Sequence, residues 1–272
     1  QLIERTRGEV VDIDAVDLVD GPTLAMLARG DSVGVFQLES GPMRALMRSL
    51  APTSFEDVAA LVALYRPGPM AANMHNDYAD RKNGRQQVVH LHPDAEEILG
   101  DTYGLMIYQE SVMRVAQKFA GYSLAEADNL RKACGKKDRE LMQHERAAFV
   151  GGCEATGYGS ALGDEMFDII EQFADYAFNK SHSYGYGFIA YQIAYLKAHY
   201  PVEYLAALLT SVRSNLDKAA VYLNECRVLD IEVGVPDINV ARSNFEPVPD
   251  LAAGPDASPG RIVFGLSAVR NV

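Results

Sequence analysis

Four basic side chains lie close together in the stretch LRKACGKK, and their types suit the binding of phosphate groups. They are Arg131, Lys132, Lys136 and Lys137. Several cations beside a glycine that lets backbone approach closely are what a triphosphate requires when no metal cage surrounds it. The alternative is an ordinary helix end, where the dipole favours each cation by ~0.3 to 1 kcal/mol. The stretch is not a Walker loop, because the pattern GxxxxGK[ST] is absent.

The stretch FNKSHSYGYG is a second candidate anion site. Lys180 would supply charge, Ser181 a hydroxyl group and His182 an imidazole, beside the N–H groups of a helix start. In the alternative interpretation Asn179 ends one helix, and Ser181 or Ser183 caps the next. Nucleophilic catalysis is disfavoured, because the serine and the histidine are sequential neighbours that usually point apart and no GxSxG elbow surrounds them.

The same stretch offers groups that could contact a base. Gly185 and Gly187 would let a ligand or a base pair lie against the backbone. Tyr184 and Tyr186 would be available for stacking. Taken together, these residues favour an anion-binding turn over a catalytic centre.

Metal and disulfide chemistry have little support in the sequence. His90 and His92 alternate like a metal pair on a strand, but no persuasive third ligand lies near them, and a surface loop is favoured. The three cysteines, Cys134, Cys153 and Cys226, are far apart and form no CxxC pair. We therefore expect no disulfide framework or zinc knuckle, and a reducing cytoplasmic location.

Composition limits the class of protein. The chain has 272 residues, 48% of them hydrophobic, which suits one large domain or two smaller ones. A net charge of −12 argues against a surface that binds nucleic acid all over, yet residues 131–139 carry five bases and one acid. An acidic body with one basic edge can still attract an anion to that edge. No apolar run approaches the roughly 20 residues that span a bilayer. The chain does not begin with methionine, so we expect a piece of a longer protein.

Helices must position these groups. Thr53 and Glu56 predict a capping box, and the helix that follows must stop before RPGP, because Pro67 disfavours helical geometry at Arg66. Ser123 and Glu126 predict a second capping box. Its helix is expected to end at Gly135, a residue suited to the left-handed conformation. Further helices are predicted at about 138–155 and 163–176, from about Phe188 to Pro201, and in the stretches EYLAALLTSVRS and KAAVYLNECRVLD.

The last part of the chain has a different composition. From about residue 235 it is rich in Pro, Gly, Asp and Ser, and only IVFGL there is strand-like. Short strands are also predicted near 86–92 and 104–108. The predicted fold class is mainly α, a multi-helix domain with a few short strands over residues 1–200, followed by a smaller helical and loop-rich segment over residues 201–272.

Six motifs occur in one order along the chain and together resemble the fingers region of the bacterial DNA polymerase III alpha subunit, the family C replicative polymerase. They are GVFQLES, FEDVAALVALYRPGP, YGLMIYQESVM, LRKACGKK, FNKSHSYGYG and YLKAHYP. The tail, PDINVARSNF and RIVFGLSAVRNV, is similar to the segment that leads into the family's helix-hairpin-helix domain. The resemblance therefore implies a fingers domain up to about residue 200, and a junction with a truncated helix-hairpin-helix region after it.

The resemblance implies roles for the candidate residues. In the family, the fingers close over the incoming deoxynucleoside triphosphate (dNTP) and its template base. By motif, the residues beside the triphosphate would be Arg131, Lys132, Lys136, Lys137, Lys180, Ser181 and His182. Weaker candidates for the nucleotide and template pocket are Arg66, Tyr108, Gln109, Asn179, Tyr184 and Tyr186. The chain departs from the family at Lys132, where the family commonly has arginine, and lysine cannot form a bidentate contact. It also departs at Tyr184 and Gly185, where the family often has small residues, which puts the local packing in doubt.

The resemblance also implies an activity for the whole protein. It would be a DNA-directed DNA polymerase that uses Mg²⁺ held by palm carboxylates, and the stretches that carry those carboxylates are missing from this chain. No catalytic or metal-binding residue is therefore assigned here, and the chain alone should be inactive. Its expected partners are dNTP, primer-template DNA and the palm and thumb, with replication holoenzyme subunits bound through other regions and no membrane. The competing hypothesis is a helical docking module whose basic edge binds anions without nucleotide specificity.

Overall fold

The computed structural model describes residues 1–136, 139–173, 178–252 and 259–269, and helices dominate them. The helices in chain order are α1 (Leu2–Arg7), α2 (Gly21–Ala28), α3 (Gly41–Leu50), α4 (Phe55–Leu64), α5 (Pro67–Ala71), α6 (Met74–Lys82), α7 (Glu96–Leu99), α8 (Gln109–Ala120), α9 (Leu124–Lys136), α10 (Arg139–Ala155), α11 (Ser160–Phe173), α12 (Lys180–His199), α13 (Pro201–Ser211) and α14 (Leu216–Val228). The strands are β1 (Glu232–Val233), β2 (Glu246–Pro249) and β3 (Gly260–Val263). The predicted mainly α fold class is confirmed.

The start of α4 differs from the predicted capping box. Ser54, not Thr53, caps the helix, and its hydroxyl oxygen accepts from the Asp57 N–H at 3.3 Å. Thr53 instead donates from its backbone N–H to the Asp57 carboxylate at 2.9 Å. The capping role moved by one residue because the buried carboxylate of Asp57 uses the Thr53 donors. The helix ends at Leu64, before the RPGP stretch, as predicted.

The second capping box is confirmed, but the end of its helix is not where we predicted it. The Ser123 hydroxyl oxygen accepts from the Glu126 N–H at 3.3 Å, and the Glu126 carboxylate accepts from the Ser123 N–H at 2.8 Å. Helix α9 then runs through Gly135, which has no positive φ. The prediction of a left-handed Gly135 was wrong. The preceding Cys134 is buried in the core, and the backbone stays helical through Gly135 because this conformation buries the cysteine.

Helix α12 begins well before the predicted start at Phe188. Lys180 is its first residue, so Ser181 and Ser183 lie inside its first turn rather than in a loop. Asn179 does not end a helix. Its side-chain oxygen accepts from the His182 N–H at 2.8 Å, which makes Asn179 the N-terminal cap of α12.

The strands form one small sheet, in the order β1-β3-β2. β1 pairs with β3 in parallel and β2 pairs with β3 antiparallel. β3 shares only Ile262 and Val263 with the predicted strand-like stretch IVFGL, and β2 lies in the same tail outside that stretch. The strands predicted near 86–92 and 104–108 are wrong: the first range has no ladder, and the second contributes only an isolated bridge between Tyr108 and Phe178.

The chain divides into two compact units, which we call the terminal unit (residues 1–44 and 189–272) and the central unit (residues 45–188). The predicted division at residue 200 concerns family domains and stays a prediction. Among the described residues, no helix combines the length and the apolar character needed to cross a bilayer.

Each unit has its own hydrophobic core. In the central unit, α8, α9, α10 and α11 pack around fully buried side chains that include Phe119, Leu130, Phe149 and Phe167. In the terminal unit, α13, α14 and the sheet enclose Leu205, Leu209, Cys226 and Ile262. The candidate site residues of both motifs belong to the central unit.

Candidate functional site

Three consecutive residues, Tyr108, Gln109 and Glu110, join the two predicted phosphate-binding stretches. We call this segment the 108–110 joint. Tyr108 forms the isolated parallel bridge with Phe178, and the Gln109 N–H donates to the Phe178 carbonyl oxygen at 2.9 Å. Because Gln109 opens α8, the start of that helix holds the backbone that leads into α12.

Glu110 binds the N-terminus of α12. One of its carboxylate oxygens accepts from the Lys180 backbone N–H at 2.9 Å, and the other accepts from the Asn179 side-chain amide at 3.0 Å. A carboxylate is favoured there by the helix dipole. The sequence interpretation assigned the helix-start N–H groups to a phosphate, but the protein's own Glu110 and Asn179 occupy those of Lys180 and His182.

The side chain of Lys180 lies against two tyrosine rings. Its amine is 5.5 Å from the ring centroid of Tyr108 and 5.4 Å from that of Tyr184, within the range of a cation–π interaction. Burial raises the pKa of both tyrosine hydroxyls, so both rings stay neutral at pH 7. Among the described residues, no carboxylate forms an ion pair with the Lys180 amine. Its positive charge is therefore available to an anion.

Arg131 reaches the joint from α9. Its guanidinium donates to the Gln109 side-chain oxygen at 3.4 Å and to one carboxylate oxygen of Asp128 at 2.8 Å. The other Asp128 oxygen lies 2.7 Å from the amine of Lys132, which is 56% exposed. Both cations hold the pKa of Asp128 below its usual value. Asp128 thus neutralises part of the basic edge.

Arg66 begins a row of cation and ring contacts that passes through Phe178, the bridge partner of Tyr108. Its guanidinium lies 4.2 Å from the ring centroid of Phe178 and donates from Nε to the Ala63 carbonyl at 2.9 Å. The Phe178 ring is 5.4 Å from that of His182, which is 4.4 Å from that of Tyr186. Burial lowers the pKa of Arg66 from its usual 12.5. The guanidinium is nevertheless a cation at neutral pH.

The remaining predicted residues differ in what they can contact. Ser181 is exposed in the first turn of α12, whereas the Tyr184 ring packs edge-on against that of Phe55 at 5.5 Å. Lys136 is the last residue of α9 and its side chain lies outside the described residues, as does all of Lys137. The structure therefore brings Arg131 and Lys180 to the same three-residue joint. The side chain of Lys132 is exposed and does not contact that joint.

The two glycines of the α12 stretch have different surroundings. A Cβ atom at Gly187 would lie 3.0 Å from Cα of Ala59 in α4, so this glycine serves the packing of two helices and not the approach of a ligand. A Cβ atom at Gly185 would meet nothing within 4 Å. The buried Ser183 donates from its hydroxyl to the Ala59 carbonyl at 2.6 Å and so joins the same contact.

Sequence reasoning missed three residues of this arrangement: Glu110, Asp128 and Phe178. Asp128 could have been found, because it lies three and four positions before Arg131 and Lys132, the spacing of ion pairs on a helix. Glu110 and Phe178 carry no such signal. Glu110 contacts a backbone atom 70 positions further along the chain.

Groups for metal or thiol chemistry do not converge here. Across residues 1–136, 139–173, 178–252 and 259–269, no three or more His, Cys, Asp or Glu side chains are arranged to hold a metal ion. The His92 ring nitrogen accepts from the Asp94 N–H at 3.1 Å and caps a short turn. The three cysteines are free and buried.

Comparison with known proteins decides the family. The family model described as the bacterial DNA polymerase III alpha subunit finger domain matches residues 1–157, more than half of the chain. This chain belongs to that family. The match includes the 108–110 joint, Asp128, Arg131 and Lys132, so the basic end of α9 is part of a polymerase III finger domain.

Relatives extend the similarity beyond the matched range. Three proteins named DNA polymerase III subunit alpha are similar to this chain: that of Mycobacterium tuberculosis (54% identity over 99% of this chain), that of Thermus aquaticus (44% over 100%) and that of Pseudomonas aeruginosa (43% over 97%). The chain spans 22% of the length of each. The α12 stretch therefore lies within the similarity, and most of each relative lies outside it.

Proposed function

We propose that this finger domain binds the triphosphate of an incoming dNTP on primer-template DNA, as part of a longer DNA-directed DNA polymerase. The observation that carries the proposal is the position of Lys180. Its amine lies over two neutral tyrosine rings at the 108–110 joint, without an ion-pair partner among the described residues. Arg131 reaches the same joint through Gln109.

The charges of the site suit an extended anion. A triphosphate presents several negative oxygens, and Lys180 and Arg131 would contact them at the 108–110 joint, with Lys132 next to Arg131 on α9. Lys136 and Lys137 remain proposed contacts, although the side chain of the first and all of the second lie outside the described residues. Since Glu110 and Asn179 occupy N–H groups at the start of α12, side chains and not the helix terminus supply the contacts. Ser181 and His182, both exposed, add a hydroxyl and an imidazole beside Lys180.

The row of cation and ring contacts from Arg66 to Tyr186 is the proposed surface for the nucleotide and template bases. Its members are Arg66, Phe178, His182 and Tyr186, with Tyr108, Tyr184, Gln109 and Asn179 next to it. Base stacking on aromatic side chains contributes about 1 to 3 kcal/mol per base in single-stranded DNA-binding proteins. A partly exposed row of rings beside Lys180 and Arg131 therefore suits a nucleotide better than an inorganic anion.

Mg²⁺ does not fit the residues described here. Because they form no cluster of three or more metal-binding side chains, the Mg²⁺ ligands that the polymerase resemblance implies would lie elsewhere in the longer protein. We accordingly expect no DNA synthesis by this chain alone. The palm and thumb of the alpha subunit and primer-template DNA would be its partners in the bacterial cytoplasm, and other regions would contact the holoenzyme.

The test is a titration of the 272-residue chain with dATP, dAMP and tripolyphosphate, followed by the methyl and amide resonances of the central unit. We expect dATP to bind more tightly than dAMP, and Lys180→Ala and Arg131→Ala each to weaken dATP binding roughly tenfold, the strength of a hydrogen bond to a charged group. Lys118→Ala is the matched control, because Lys118 of α8 pairs with Glu97 of α7 and takes no part in the site.

The docking-module hypothesis gives a different result. A basic edge that binds an acidic partner would bind all three anions with affinities that follow their charge. Added salt would weaken the binding of all three to a similar degree. In the longer polymerase that contains this chain, Lys180→Ala should then leave the KM for dNTP unchanged, whereas our proposal requires it to rise.

A further inference from the structure

Residues 87–91 of the central unit form a strand-like segment outside the sheet. From residue 87 to residue 90 the backbone has no turn or bend. The exposure of the side chains alternates, since Gln87, Val89 and Leu91 are exposed and Val88 and His90 are half-buried. Alternation with period two is typical of an extended chain that turns one face toward the protein. The segment is therefore a single β-strand in pattern, without a neighbouring strand among the described residues.

The backbone of this segment is also unpaired. No hydrogen bond joins a backbone N–H or C=O group of residues 87–91 to another residue that the structure describes. Paired backbone resumes on either side, where the Gln86 N–H donates to the Asp80 carbonyl at 3.2 Å and the His92 carbonyl accepts from the Ala95 N–H at 3.0 Å. An open row of donors and acceptors is a template for pairing with a further strand.

One side of the segment is closed and the other is open. The Val89 carbonyl oxygen lies on the closed side, where a Cβ atom on Gly104 would be 3.2 Å from it. In an extended chain, the N–H and C=O groups of successive residues point to alternate sides. Those of Val88 and His90 therefore point away from Gly104, and we call these two residues the free edge.

A cavity of about 290 Å³ adjoins the segment, and residues 89–91 form part of its wall. Other apolar residues of the wall are Met74, Leu99, Met106, Met166, Ile169 and Phe173. Three large apolar side chains of this wall are exposed, Val89 by 64%, Leu91 by 41% and Ile169 by 36%. Exposed apolar side chains grouped around an open cavity are typical of an interaction surface.

The charged groups of the wall favour neither sign. Asp77 and Arg81, both on α6, line the cavity. A small ion of either charge would therefore meet a like charge. The free edge and the apolar wall suit β-strand addition instead, in which main-chain hydrogen bonds supply affinity and pockets accept alternate side chains.

We propose that an extended segment of the longer polymerase, from outside these 272 residues, adds to the free edge as a β-strand. Its backbone pairs with Val88 and His90, and its alternate apolar side chains fill the cavity and cover Val89, Leu91 and Ile169. The proposal rests on the chain being part of a longer polymerase and is independent of nucleotide binding.

The length of the relatives favours an occupant from the same polypeptide. The chain spans 22% of the length of each of the three polymerase III alpha subunits, so most of each polypeptide lies outside it. A segment tethered to the protein meets the free edge at an effective concentration that can reach the millimolar range. Tethering therefore compensates for the few hydrogen bonds that a short edge provides.

The test compares amide hydrogen exchange in the 272-residue chain and in the longer polymerase that contains it, read at single residues by mass spectrometry. In the 272-residue chain, we expect the amides of residues 87–91 to exchange rapidly. In the longer polymerase, the Val88 and His90 amides should exchange at least about tenfold more slowly, whereas the Val89 amide, on the closed side, should change little. Alternate protection is specific to strand pairing, because simple coverage would slow neighbouring amides alike.

Variants of the longer polymerase link this protection to the cavity. Ile169→Lys places a charge on the cavity wall and should return Val88 and His90 to rapid exchange, without altering the sequence of the segment. Leu124→Lys is the matched control, because this exposed apolar position on α9 does not line the cavity, and it should leave the protection intact. Val89→Lys, at an exposed position of the segment itself, should release Val88 in the same way.

Measurements on the 272-residue chain separate this result from misfolding and from nucleotide binding. Urea unfolding should give the same stability for the wild type and Val89→Lys, because the side chain is exposed. Neither Ile169→Lys nor Val89→Lys should change the dATP affinity. Equal exchange at Val88 and His90 in the two proteins, protection without alternation, or protection that survives both lysine variants would each overturn the proposal.

Discussion

The carboxylate of Glu110 accepts a hydrogen bond from the backbone N–H of Lys180 at 2.9 Å, across 70 positions of sequence. This contact ties the first residue of α12 to the second residue of α8. It fixes the backbone from which the Lys180 side chain reaches over Tyr108 and Tyr184. Glu110 is therefore a positioning residue for the proposed site and does not itself contact the nucleotide.

Glu110→Ala should destabilise the chain and weaken dATP binding together. Loss of an N-terminal carboxylate contact costs about 1 kcal/mol of unfolding free energy, and Lys180 loses its fixed start. Urea unfolding measures the first effect and a dATP titration the second. Glu110→Gln keeps an acceptor oxygen and should recover part of the binding. The matched control is Glu97→Gln, since Glu97 pairs with Lys118 on the protein surface. Unchanged dATP affinity in Glu110→Ala would refute the positioning role.

Asp128→Asn should strengthen triphosphate binding. Asp128 bonds to both Arg131 and Lys132, and removing its charge leaves those cations for the ligand. Exposed ion pairs are weak because water and salt screen them, so we expect a gain of about twofold to fivefold in affinity and a steeper loss of affinity with salt. Asp164→Asn provides the control, because Asp164 also pairs with an arginine, Arg146, outside the site. Weaker binding in Asp128→Asn would mean that the aspartate orients Arg131 more than it competes for it.

Lys197→Met should destabilise the terminal unit strongly. The Lys197 amine is buried and donates to the Asp31 carbonyl, the Val33 carbonyl and the Glu225 carboxylate, at 2.8, 2.9 and 2.6 Å. Burial lowers its pKa against the opposing effect of Glu225. Removing one partner of a buried pair costs about 3 to 5 kcal/mol, because the other charge is left uncompensated.

The double variant Lys197→Met with Glu225→Leu separates charge from packing. It removes both charges and should recover much of the free energy of unfolding that the single variant loses. Urea denaturation of the wild type, both single variants and the double variant forms a complete cycle. A double variant whose loss of unfolding free energy equals the sum of the two single losses would show that the carbonyl contacts of Lys197, and not its ion pair, dominate.

The cysteines should resist modification in the folded chain. Burial raises the pKa of Cys134 and Cys153 to about 11 and that of Cys226 to about 12. The thiolate is the reactive form, so native labelling with a thiol reagent should still increase with pH above the ordinary thiol value of about 8.5. Val10→Cys, at a position 82% exposed, should react rapidly and level off near that value. Fast labelling of the wild type at neutral pH would contradict the burial.

Much of the fold could be predicted from local signals. Ser123 with Glu126 and the proline after Arg66 act within a few residues, so the sequence alone shows them. The start of α12 could not be predicted, because its glycines and serines have low helix propensity. Its first turn depends on the local cap Asn179 and on Glu110 in a distant segment.

The candidate site was predictable to a similar degree. The types and order of the basic residues were visible in two motifs, and the family resemblance connected them. Their connection through Gln109 and Phe178 was not visible, since backbone contacts between distant segments leave no residue pattern. Gly135 shows the opposite error: a local preference for a helix end yielded to the burial of Cys134.

The contact between Gly187 and Ala59 sets the distance between two helices without adding much to the stability of the fold. Two residues without bulky side chains meet there, and the Ser183 hydroxyl adds one hydrogen bond to the Ala59 carbonyl. Such a contact buries little apolar surface and so contributes little to the free energy of folding. It does set the distance between α4 and this part of α12 to the thickness of their backbones. One methyl group added at Gly187 would therefore shift the neighbouring Tyr184, and with it the ring that supports Lys180, before it changed the stability of the core.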